Sequence, residues 1–141
     1  TLLGLGALRF AARRRATRDD APPEDTVPAW TRAEQELLAA LARVESDPHA
    51  AADDAALCLR RYVRRRTGRA VESATTEEIA AQRPPGRLRS RWPEWVALLR
   101  RLDALRFPGH LESEESRQAL RESIEEARAF VERSVPPREL R

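Results

Sequence analysis

The chain has 141 residues, 41% apolar and 35% charged, with a formal net charge of +3. That is enough for one domain with a tail and for a core that needs no disulfide. All 26 basic residues are Arg, Lys, Asn and Met are absent, and Cys58 is the single cysteine, which excludes a P-loop or Schiff-base lysine, sequon glycosylation and an intramolecular disulfide.

So uniform a choice of Arg is what GC-rich coding does to codon usage, and by itself it is no sign of nucleic-acid binding. The distribution of charge says more. Residues 1–18 carry five Arg and no acid, whereas residues 19–59 carry ten acids and two Arg. Residues 60–106 reverse this, with thirteen Arg and five acids. Either these segments neutralise one another inside one fold, or the middle presents a basic face to a partner.

The chain opens TLLGLGALRFAARRR. Its apolar run is too short to cross a bilayer, which takes about 20 residues. The charge follows the run, whereas in a signal peptide it precedes it. Apolar residues and then a basic cluster is the pattern of a membrane helix leaving on the cytoplasmic side. Residues 1–15 are therefore expected to be the end of a transmembrane helix with Arg9, Arg13, Arg14 and Arg15 as its cytoplasmic flank. The alternative is an amphipathic or frayed N-terminal helix. Residues 16–29, ATRDDAPPEDTVPA, read as a Pro-stiffened acidic linker.

A helical domain is expected over residues 30–135, with a tail at 136–141. Thr31 and Glu34 have capping-box spacing, and Leu37, Leu38, Leu41 and Val44 recur at helical spacing as far as Ser46. Asp47-Pro48 is an N-cap with Pro in the first turn. The second helix it starts runs to Thr67, closes at Gly68, and has Ala52, Ala55, Leu59, Tyr62 and Val63 as its stripe. Thr75 and Glu78 open a short helix over 76–82. Residues 82–93, QRPPGRLRSRWP, read as a loop. Pro93 starts a fourth helix reaching Phe107, with Trp95, Leu98, Leu99, Leu102 and Leu105 on one face. A last helix spans Ser113–Ser134 with Leu120, Ile124, Ala127 and Val131 inward. With no period-2 run, the fold expected is all-α, a small bundle of four longer helices and one short one.

No grouping of side chains points to catalysis, a cofactor or a metal. His49 and His110 lack partners at ligand spacing. Cys58 has no neighbouring His and is expected to be a small core residue. The paired carboxylates Glu77-Glu78, Glu114-Glu115 and Glu125-Glu126 suit helix first turns and solvated faces. The distinctive stretch is LCLRRYVRRRTGRA, residues 57–70. At about 100° per residue, Leu57, Arg60, Arg61 and Arg64 fall on the side away from Leu59. Either Leu57 packs on a neighbour while the Arg side chains pair internally, or the four form a docking face for an acidic partner. A helix-turn-helix nucleic-acid binder is the rival reading, from ATTEEIAAQ followed by Arg87, Arg89 and Arg91. Pro84-Pro85-Gly86 stands where its recognition helix would begin.

Three stretches, Leu59–Gly68, Thr75–Ala80 and Leu98–Phe107, follow the basic start and acidic linker in an order that resembles the cytoplasmic tail of the BatD-like bacterial membrane proteins. These are encoded with a MoxR-type AAA+ ATPase and von Willebrand factor A domain proteins. The likeness covers roughly residues 32–110; the Pro-rich loop at 84–86 and the long last helix depart from it. It implies a non-catalytic component of an envelope system, anchored in the bacterial inner membrane. The domain would face the cytoplasm and contact an acidic protein partner there, the AAA+ ATPase or a von Willebrand factor A protein.

Overall fold

A computed structural model describes residues 27–107 and 109–137. Among the described residues there are five α-helices and no strand: α1 Ala29–Ala42, α2 Pro48–Thr67, α3 Thr76–Ala80, α4 Trp92–Leu105 and α5 Glu114–Arg133. Four are long and one is short, as the sequence predicts. The segment expected to leave a membrane, its Arg flank and most of the linker lie outside the described residues.

Four of the helix boundaries follow local chemistry. Asp47 accepts a hydrogen bond from the Ala50 N–H at 3.2 Å, with Pro48 in the first turn of α2. Gly68 closes α2 with φ of 75°, a left-handed conformation that glycine adopts without steric cost. Thr75 caps α3, accepting from the Glu78 N–H at 3.1 Å and donating its own hydroxyl to the Glu78 carboxylate, so the two residues at capping-box spacing do meet, through the threonine side chain. Ser113 caps α5, accepting from the Ser116 N–H at 3.1 Å.

The start of α1 differs from expectation. The Pro28 carbonyl accepts from the Arg32 N–H at 3.1 Å, which puts Thr31 inside the first turn and leaves its box unformed. The inward face of α1 is Ala33, Leu37 and Ala40, continued by Val44 beyond the helix end, while Leu38 is 43% exposed. Residues 86–91 are a 3-10 segment rather than an open loop, and it seats Leu88 in the core.

α2 is the central element, touching α1, α4, α5 and the 3-10 segment. Its first half packs through Ala51, Ala52, Ala55 and Ala56, all buried, so the neighbouring backbones come close. Its second half meets the large side chains. Tyr62 lies edge-on to Phe130 at 6.2 Å between centroids, and the Trp95 indole donates to the Leu59 carbonyl at 3.2 Å. Leu99, Leu102, Leu120 and Ile124 complete the core.

The helices alternate in direction, which gives the bundle two distinct ends. Arg66 of α2 stacks on Trp30 of α1 at 5.6 Å and donates to the Ser134 carbonyl beyond α5 at 2.7 Å, while Arg133 pairs with Glu94 of α4. That end, where the chain enters α1, is the proximal end below. At the distal end Arg43 pairs with Asp54, Arg106 with Asp53, and Glu45 with Arg117 and Arg121.

Replacing Asp47 with Ala removes a used cap and is expected to cost about 1 kcal/mol in urea unfolding. Thr31→Ala is expected to be neutral within about 0.5 kcal/mol, because no cap is lost and Ala suits a helix.

Candidate functional site

Among the described residues no group of three or more His, Cys, Asp or Glu is placed to hold a metal ion. His49 and His110 are exposed at separate element ends. Cys58 is 2% exposed, with Sγ 3.5 Å from the Ala33 carbonyl oxygen. Burial, reinforced by Glu36, pushes its thiol far above the ordinary value. It is a packed thiol rather than a nucleophile.

The four residues expected to form a docking face do not act together. Arg60 turns inward and is 9% exposed. Its Nη1 donates to the carbonyls of Val71, at 3.0 Å, and Ala74, and its Nη2 donates to Thr76 Oγ1 at 3.2 Å. Thr76 in turn donates to Asp103 of α4. Burial lowers the affinity of Arg60 for its proton and the Asp103 carboxylate opposes the shift; the guanidinium stays charged. Arg60 therefore fastens the 71–76 stretch to α2 and leaves the proposed face. The wheel placed it at the edge of the outward sector, where a returning loop decides whether a side chain points in or out.

The other three remain outward. Asp53, Asp54, Leu57, Arg61 and Arg64 follow one another at helical spacing along the outer side of α2. Leu57 is half-buried between acids on one side and Arg on the other. Arg64 is exposed and pairs with Glu72 at 2.7 Å. Arg61 makes no hydrogen bond or ion pair to a carboxylate among the described residues.

The described acids of the early segment are paired, some with Arg of the basic middle, others with Arg of α5 or of their own segment. Glu34 pairs with Arg128 at 2.8 Å, Glu36 with Arg65 at 3.6 Å, Asp53 with Arg106 at 2.6 Å, and Asp54 with Arg43 at 2.6 Å. Arg100 and Arg101 on the outer side of α4 are taken by Glu77 and Glu126. Each exposed pair contributes little stability, about 0–1 kcal/mol. Their effect is to erase most of the polarity seen along the chain.

Two features escape a sequence reading. Arg66 Nη1 donates to Tyr62 Oη at 2.5 Å, and Tyr62 Oη shares a hydrogen bond with Ser134 Oγ at 2.5 Å, so two residues one turn apart on α2 lock it to the distant Ser134 at the end of α5. Beside them a cleft of about 490 Å³ is lined by Arg65, Arg66, Thr67, Gly68, Pro85 and Gly86. The Gly68 stop and the Pro-Pro-Gly stretch are each visible in the sequence, but their meeting is not.

No protein-family model, curated protein or solved structure matches the chain.

Arg60→Met is expected to lower stability by about 2–4 kcal/mol, since it leaves the Val71 and Ala74 carbonyls unsatisfied. The urea midpoint should fall with the slope unchanged. For Cys58, below pH 9 the thiol is neutral in both states. Above that its ordinary value of 9.0 lets the unfolded chain ionise while the native one does not. Stability is expected to fall with a slope approaching about 1.4 kcal/mol per pH unit, a component that Cys58→Ala removes.

Proposed function

We propose that the chain is a non-catalytic interaction domain held at the bacterial inner membrane by its N-terminal residues. Its helical body hangs in the cytoplasm and recruits an acidic protein partner of a MoxR-type AAA+ ATPase and von Willebrand factor A system. The observation that carries this reading is the outer side of α2. Leu57 lies there beside Arg61, which no carboxylate among the described residues neutralises, in a body where most other Arg are paired. An apolar side chain next to an uncompensated cation suits an acidic segment carrying one apolar anchor. Arg64 joins this face when the partner displaces the exposed Glu72 pair. Arg60 belongs to the scaffold and contributes only by holding the 71–76 stretch.

The helix-turn-helix alternative lacks its recognition helix among the described residues. α3 has five residues and is followed by a 3-10 segment, and the outward Arg of α4 are already paired.

The test uses the full chain, extracted in detergent and probed for co-purification of a MoxR-type ATPase. Arg61→Glu with Arg64→Glu is expected to reduce recovery at least tenfold with unfolding unchanged. Undiminished recovery removes the α2 face. Alkaline carbonate washing tests the anchor separately, and a chain released into the supernatant removes it.

A further inference from the structure

We propose that the proximal end of the bundle is a docking surface for an anionic lipid bilayer, with a headgroup phosphate seated in the cleft between the C-terminus of α2 and Pro85-Gly86. This rests on the membrane-anchored reading above for how that end is delivered to the surface, and on different residues from the α2 face.

The first argument is where uncompensated charge collects. Arg66 spends its Nη1 on Tyr62 Oη and the Ser134 carbonyl, and Arg69 donates to the Arg83 carbonyl. These acceptors are neutral, so the positive charges remain. Arg83 and Arg89 are exposed and meet no carboxylate among the described residues. Arg91 and Arg133 share a single carboxylate, Glu94. The distal end is the reverse. There Arg43, Arg106, Arg117 and Arg121 meet Asp54, Asp53, Glu45 and Glu114. Apart from Arg61 on the outer side of α2, the imbalance among the described residues thus gathers at one end, and it comes from several loops and helix ends. A diffuse negative sheet requires no more shape than that.

The second argument is the cleft. Arg65 lines it, with its guanidinium held by Glu36 of α1 at 3.6 Å. Arg66 lines the same space. A phosphate oxygen there would give Arg66, whose hydrogen-bond acceptors are neutral, an anionic partner.

The third argument is tethering. Residues 1–28 join the body at Ala29, next to the Trp30 ring that Arg66 covers. From Arg15 to Ala29 the chain reaches at most about 50 Å when extended. A flank held at a bilayer therefore keeps the proximal end at high effective concentration over the same surface.

The experiment places the full chain in nanodiscs of phosphatidylcholine alone and in discs where about a quarter of the lipid is phosphatidylglycerol, and follows amide exchange over residues 66–91. The expected result is slowing in the anionic discs only, reversed near 0.5 M salt, where the Debye length is about 4 Å. Arg69→Gln with Arg83→Gln and Arg89→Gln is expected to abolish the slowing and to weaken binding to phosphatidylglycerol vesicles roughly a hundredfold. Unchanged circular dichroism and thermal unfolding of that variant show that the fold is kept. Identical exchange in both discs overturns the proposal. So does slowing that is equal in both discs, which assigns this end to the chain's own acidic linker, and so does slowing that appears only when an acidic protein or DNA is added. A chain that does not insert into phosphatidylcholine discs yet binds anionic vesicles through these three Arg removes the anchor and supports the docking surface.

Discussion

The constraint on which the structure depends is that its most central helix is also among its most charged. α2 touches α1, α4, α5 and the 3-10 segment, and its last eight residues include Arg60, Arg61, Arg64, Arg65 and Arg66. Burying that half on alanine-like terms is impossible, because an unpaired guanidinium inside a core is costly. Each Arg is handled differently. Arg60 is taken in and surrounded by acceptors, Arg65 and Arg66 lie sideways against Glu36 and Trp30, and Arg61 and Arg64 stay outside. The 71–76 stretch and α3 owe their position to the first of these choices. They supply two carbonyls and a hydroxyl to a buried cation and in return are held against α2 and α4.

The same logic orders the surface. Acidic residues before position 55 are met by Arg106, Arg117 and Arg128 from later in the chain and by Arg43 from their own stretch, at the distal end and along the sides, where opposite charges cancel. Among the described residues, Arg are left without a carboxylate along the outer side of α2 and at the proximal end. These are the two places where a molecule of opposite charge gains most by approaching. That both lie toward the end at which the linker arrives follows from the alternating helix directions, since α2 ends where α1 begins.

What could be read from the chain divides along the line between local and distant causes. Asp47, Thr75, Ser113 and Gly68 act on backbone groups within a few residues, so spacing alone identifies them. The stripe of α5, Leu120, Ile124, Ala127 and Val131, is equally clear, because the helix is otherwise polar. Thr31 misleads for a local reason of its own: Pro28 already starts the helix, so the threonine arrives too late to cap it. Leu38 misleads because α1 meets α2 through alanines, and the better-packed face is not the one richest in leucine. Arg60 could not be read at all. Its direction is decided by carbonyls eleven and fourteen residues ahead, which come within reach only once the chain has turned back at Gly68.

Arg66 reaches both Trp30 at the beginning of the body and Ser134 at its close. The chain thus enters and leaves side by side. Tension carried along the polypeptide from one flank to the other would pass across that single corner and not through the core. The body is in this respect a pendant, hung from the corner where its first and last helices meet.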